Sequence, residues 1–183
     1  MYVKLLVLGG LICIAGCDAD SAPEFKTVYS TPHKFDPNLQ GLQRLWAQQA
    51  EQQLASGVQL DRNNQPANID TTATVISATG RYRGHLTPAP DQVNNTARFS
   101  FSLDLEAVDQ AMPEQLTLAV AGGMPMHSHG LPTQPTLIVA ANGRIEIEGV
   151  RFSMPGWWQL AIGIAQDDSA SYDMLTFNFL VRP

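Results

Sequence analysis

Phe99, Phe101, Leu103 and Leu105 alternate with Ser100, Ser102, Asp104 and Glu106. A period of two sends alternate side chains to opposite faces of an extended strand, so this run predicts a β-strand with one buried and one wet face. Leu116, Leu118 and Val120 repeat the rule, as do Ile145 and Ile147 against Glu146 and Glu148 after an Asn142-Gly143 turn. Trp158, Leu160, Ile162 and Ile164 form another inward set, and Leu175, Phe177, Phe179 and Val181 the last. Thr74 to Ser77 and Tyr82 to Leu86 add two strands around a Thr79-Gly80 turn. Roughly seven short strands with frequent turns predict an all-β domain over residues 72–183, folded as a β-sandwich.

Upstream the period changes. Leu39, Leu42, Leu45, Trp46, Ala50 and Leu54 fall at spacings of three and four, which makes one apolar stripe on a helix over 38–56. Asp36 can cap it, Pro37 suits its first turn, and Gly57 can end it. The stripe either packs on the sandwich or docks a partner. Asp61 to Pro66 reads as a polar linker, so residues 38–71 form a helix-and-linker segment. Residues 17–37 contain three prolines and little periodicity, the pattern of a tether.

Residues 1–16 have a different logic. Lys4 precedes an apolar run from Leu5 to Ile14, then small Ala15 and Gly16, then Cys17. That is the three-part layout of a cleaved export signal. The run is too short to cross ~30 Å of hydrocarbon, and no later segment approaches the required length of about 20 apolar residues. Ile14-Ala15-Gly16-Cys17 resembles the lipobox of bacterial lipoproteins. The resemblance implies cleavage before Cys17, lipidation of its thiol, and a protein anchored to the cell membrane by lipid, facing the periplasm or the extracellular side. Asp18 resembles the inner-membrane retention signal of Gram-negative lipoproteins.

Removing residues 1–16 takes Lys4 from the 11 basic residues and leaves 10 against 17 acidic ones, a formal charge of −7. Such a balance argues against binding nucleic acid, which needs clustered Lys and Arg. Of the two cysteines, Cys13 leaves with the signal and Cys17 takes the lipid, so the folded part needs no disulfide.

One loop breaks the alternating pattern: Gly122-Gly123-Met124-Pro125-Met126-His127-Ser128-His129-Gly130-Leu131-Pro132. It holds two of the four histidines and two of the six methionines. On an extended strand, His127 and His129 at i, i+2 share a face and can converge on one ion. Imidazole nitrogen with thioether sulfur favours copper, the sulfur selecting the cuprous state. The bland alternative is that a histidine bonds a loop carbonyl and the methionines fill the sandwich end. Met126 is the weaker methionine candidate. A second island, Phe152-Ser153-Met154-Pro155-Gly156-Trp157-Trp158, reads as a turn whose tryptophan plugs the core, with Met154 at a strand end. His33 in the tether and His85 beside Arg83 look ordinary.

Together the two islands resemble the YtkA-like domain family, which has a Met-Pro-x-His-x-His-Gly loop and, one hairpin later, a Phe-x-Met-Pro-Gly-x-Trp motif. The resemblance spans roughly residues 72–183 and implies an immunoglobulin-like β-sandwich. More distantly it reaches the FixH protein and periplasmic copper carriers. Carried over by position, it implies a metal site at Met124, His127, His129 and Met154, with Trp158 at the motif tryptophan. The helix lies outside the resemblance.

The leading expectation is therefore a membrane-tethered protein that binds or delivers copper to a periplasmic or membrane recipient. The alternative is a non-metal interaction module in which the His/Met loop is structural. An enzyme ranks last: there is no Gly-x-Ser-x-Gly elbow and no His-Glu-x-x-His helix.

Overall fold

The inward sets of the alternating runs face one another across two sheets. The computed structural model describes residues 24–27, 37–62, 65–95, 97–127, 129–140, 143–166 and 171–182. Cys17, the export signal and His33 lie outside the described residues. In chain order the elements are β1 (Glu24–Thr27), α1 (Pro37–Ala55), β2 (Thr74–Ile76), β3 (Tyr82–Thr87), β4 (Arg98–Ala107), β5 (Gln115–Met124), β6 (His129–Gly130), β7 (Thr136–Val139), β8 (Ile145–Arg151), β9 (Gly156–Gln166) and β10 (Asp173–Val181). One sheet runs β2-β3-β4-β8-β7; the other runs β1-β5-β9-β10, with β6 paired to β5. The described fold is thus all-β in two sheets, preceded by one helix.

Between the sheets lies the main core. Phe101 and Leu103 of β4 and Ile145 and Ile147 of β8 meet Leu118 of β5, Leu160 and Ile162 of β9, and Phe177 and Phe179 of β10. Phe152 is its aromatic centre: its ring lies 4.9 Å from Phe179 and edge-on to Trp158 at 5.5 Å. The tryptophan of the Met-Pro-Gly-Trp turn, Trp157, is buried but lies outside this cluster, and it is the next residue, Trp158, fully buried, that plugs the core. The β7–β8 hairpin closes with the Ala140 N–H on the Arg144 carbonyl at 2.8 Å; Asn142 of the expected turn lies outside the described residues. Its first arm, β7, is a strand that the alternating pattern did not single out.

The expectation of one wet face per strand fails for β5 and β9. Every residue from Leu116 to Met124 and from Gly156 to Ala165 is buried. The outer face of this sheet carries Ala119, Ala121, Ala161 and Met174, and the helix covers it with Leu42, Trp46 and Ala50. Small residues make a floor flat enough for a helix to approach. A Cβ at Gly163 would come within 2.8 Å of Leu42 Cδ1. The apolar stripe is thus used internally. Burying Leu42 and Trp46 contributes on the order of 1.5–3 kcal/mol each.

A chain of neutral hydrogen bonds runs through this contact. Trp46 Nε1 donates to Gln159 Oε1 at 3.0 Å. Gln159 Nε2 donates to Gln53 Oε1 at 2.8 Å and to Asn178 Oδ1 at 2.9 Å. Asn178 Oδ1 also accepts from Trp157 Nε1 at 3.0 Å, and Asn178 Nδ2 donates to the Asp70 carbonyl at 2.9 Å. Gln159 is 2% exposed, so each partner matters, because a buried amide left unpaired costs about 1–3 kcal/mol.

At the other end of β9 and β10, Asp173 ties the Thr79-Gly80 turn to the sheet. Its carboxylate accepts from the Thr79 and Ser77 hydroxyls and from the backbone N–H groups of Thr79 and Met174. Burial by itself would raise its pKa, but the four hydrogen bonds outweigh burial and hold the carboxyl below the usual value of 3.8.

The stretch expected to be a featureless tether contains β1. It pairs parallel with β5, Glu24 opposite Gln115 and Thr27 opposite Leu118. A strand there satisfies the open backbone edge of β5, which would otherwise invite pairing with another chain.

Candidate functional site

The two sequence islands end up at one end of the helix-covered sheet. Strand β5 delivers the His/Met loop at its C-terminal end, and β9, antiparallel to it, starts there at Gly156. The pairing of Gly123 with Gln159 is the last of the β5–β9 ladder, so the residues beyond each strand end are neighbours.

Gly122 begins the departure from regular sheet. Its φ of +148° lies where side chains are rarely found, and a Cβ there would sit 2.2 Å from the Gln159 carbonyl oxygen. Helix α1 holds this backbone in place. Gln43 Nε2 donates to the Gly122 carbonyl at 3.3 Å, and the Gly122 N–H reaches Gln43 Oε1 at 3.4 Å. The Leu131 N–H closes the loop on the same carbonyl at 3.1 Å. The helix therefore buttresses the loop, a link that the sequence reading did not contain.

Met124 is 1% exposed and belongs to the main core. Its methyl occupies the space a side chain at 156 would need: a Cβ on Gly156, whose φ is +139°, would lie 2.7 Å from Met124 Cε. Gly156 is thus required by Met124, and the contact joins the two motifs physically. Across the sheet Met124 is the register partner of His129 in β6. His129 is placed here by its backbone.

The premise that His127 and His129 share one face of an extended strand does not hold. Pro125–His127 form a short 3-10 turn, and β6 starts only at His129. Proline at the first position of that turn, with its fixed φ, favours the bend over extension. His127 is exposed at the end of the turn, while Met126 is half-buried. Met154 is 38% exposed on the turn before β9, and its carbonyl accepts from Trp158 Nε1 at 3.0 Å. A cleft of about 410 Å³ opens beside this turn, lined by Asp61, Gln65, Pro66, Pro155, Gly156 and Arg182 among others.

Of the expected metal ligands, His127 and Met154 are therefore exposed, and Met124 is buried in the core. Among the described residues no group of three or more His, Cys, Asp or Glu side chains is placed to hold a metal ion. Any ion at this end would rely on thioether donors beside imidazole, a set suited to soft ions. The other described histidine, His85, is exposed on β3 and shares a 2.8 Å hydrogen bond between its Nδ1 and Thr74 Oγ1.

No family model matches the chain. No curated protein matches it either. The solved structures to which it is similar include a DUF4426 family protein of Pseudomonas aeruginosa PAO1, at 8% identity and a TM-score of 0.36, covering 56% of this chain and 94% of that one. The likeness to the YtkA-like domain therefore rests on the two motifs themselves.

Proposed function

We propose that the chain is a lipid-anchored extracytoplasmic protein, with an immunoglobulin-like sandwich that binds copper reversibly at its His/Met end and passes it to a recipient. The immunoglobulin-like assignment is supported by strand order. Taking β3, β4, β5, β7, β8, β9 and β10 as A to G, the sheets read A-B-E-D and C-F-G, the arrangement of constant-type immunoglobulin domains. Strand β2 adds to the A edge and β1 to the C edge.

The observation that carries the copper reading is the meeting of the two motifs, Met124 seated on Gly156 with His129 as its register partner. It brings the segments that carry these two methionines and two histidines to the same end of one sheet. In this reading His127 and Met154, both exposed, would be the outer donors, His129 would join them, and the buried Met124 would close the set. Bound copper would supply only exchange of a soft cation. The chain's part is to offer neutral imidazole and thioether donors on a loop fixed by Gln43 and Gly122. Because imidazole must give up its proton to ligate, affinity falls on acidification.

The interaction-module alternative loses its simplest surface, since the helix stripe is buried against β5 and β9. The deciding measurement is competition with a coloured cuprous chelator, run on wild type, His127→Ala, His129→Ala, Met154→Leu and Met124→Leu. Each imidazole loss should weaken binding at least about tenfold, or about 1.4 kcal/mol. Met154→Leu should weaken cuprous binding more than cupric. Met124→Leu conserves volume and should cost under about 1.5 kcal/mol in folding, so an affinity loss there would mark Met124 as a ligand. Unchanged affinity across all four variants removes the site.

A further inference from the structure

We propose that β1 sets which way the domain stands on the membrane: its Gln115–Gln166 end faces the bilayer and its His/Met end points away. The proposal rests on the lipid anchor at Cys17. Strand β1 runs parallel to β5 from the Glu24–Gln115 pair. The chain arriving from Cys17 must therefore join the domain beside Gln115, at the end where Gln166 pairs with Leu116.

Only seven residue steps separate Cys17 from Glu24, and any chain of that length reaches at most about 25 Å. The opposite end of β5 is Met124, nine residues on, or about 30 Å at the usual rise of a strand. Without β1 the leash would run on to the start of α1 at Pro37, giving about 70 Å of reach and no preferred orientation. With it, the anchor is tied to one end of the sheet. The formal charge of −7 on the mature chain adds repulsion from anionic headgroups, which discourages the domain from lying flat.

The consequence concerns the partner. A recipient would meet the His/Met end well above the headgroups, so it should carry its own copper site on a soluble or projecting domain rather than at the membrane surface.

The test uses the full-length protein in phosphatidylcholine vesicles that carry a headgroup acceptor dye. With Cys13 removed with the signal and Cys17 acylated, a single introduced cysteine can be labelled alone. Glu114→Cys reports the near end and Ser153→Cys the far end; both positions are exposed. Energy transfer at Glu114 should exceed that at Ser153 by at least about twofold, given the ~30 Å between the ends. Equal or reversed transfer overturns the proposal.

Docking of β1 is checked separately by oxidation. Glu24→Cys with Gln115→Cys should cross-link, because the pair are register partners. Preferential cross-linking of Thr27→Cys with Gln115→Cys would mean a reversed strand and would overturn the orientation. Fatty-acid labelling separates the two layers of the argument. Label lost in Cys17→Ser supports the anchor; equal label with and without Cys17 sinks the anchor and the orientation together. Failed cross-linking with the label intact sinks the orientation alone.

Discussion

Replacing Trp46 by alanine should detach the helix from the sheet. Trp46 is 3% exposed, and it packs on the alanine floor of β5 and β9. Truncating a buried tryptophan costs about 3–5 kcal/mol, the upper part of the range applying where neighbours cannot collapse into the space. The floor here is backbone and methyl groups, which leaves little to move. The mutation also strips Gln159 Oε1 of its 3.0 Å donor inside the contact, for about 1–3 kcal/mol. Trp46→Phe separates the two effects, because it keeps most of the apolar body and removes only the N–H. It should lose about 1–3 kcal/mol, and the difference between the two variants then measures the packing. The assay is urea unfolding of the chain without its signal, followed by tryptophan fluorescence and circular dichroism. With a slope near 2 kcal/mol per molar, the combined loss of about 4–8 kcal/mol should lower the midpoint of Trp46→Ala by about 2–4 M. A loss within about 0.5 kcal/mol, the scale of a neutral surface change, would refute the docking of the helix.

Asp173→Asn should destabilise the chain by about 1.5–3 kcal/mol at pH 7, since it removes charge-assisted bonds. The folded pKa lies below the ordinary 3.8, so the carboxylate's contribution is complete above that value and is lost as pH falls through the folded pKa. In urea melts from pH 7 to pH 2 the wild-type advantage should therefore shrink only below about 3.8; a gap constant throughout would contradict it. Gly122→Ala should cost more than about 3 kcal/mol, because the methyl meets a backbone oxygen that cannot retreat; a melting temperature equal to wild type would show the bend is not as described. The fragment 72–183 should still unfold cooperatively, since no helix residue belongs to the main core, but it should self-associate through its bare outer face in sedimentation. A molten fragment would mean that the helix completes the fold.

The strands of the main core were legible because their inward residues are large and their outward ones charged or polar. Phe101, Leu103, Ile145 and Ile147 against Ser102, Asp104, Glu146 and Glu148 leave little choice of face. Strand β9 was read on one parity only. Its second set, Trp157, Gln159, Ala161, Gly163 and Ala165, is not charged anywhere, and that is the signature of a strand covered on both sides. Small residues at three of those positions also mark where a helix approaches. The 3-10 turn at Pro125–His127 was obscured by reading His-x-His as extended, although proline two residues before His127 argues for a bend. The role of Gln43 was not legible, because a glutamine on a helix face gives no sign that it holds a backbone 79 residues away. The placement of β1 was hidden by its brevity, four residues in a proline-spaced stretch.

The hydrogen bonds that Gln43, Trp46 and Gln53 make to the sheet, and their extension through Gln159 to Asn178, join indole, carboxamide and backbone groups. None of these groups gains or loses a proton in the range where imidazoles and carboxylates do. A clamp of ion pairs would loosen in acid and fade in brine. These bonds contain no titrating group, so the hold of Gln43 on the Gly122 backbone does not depend on a proton. The bend at Gly122 is thus held by contacts that acid leaves in place.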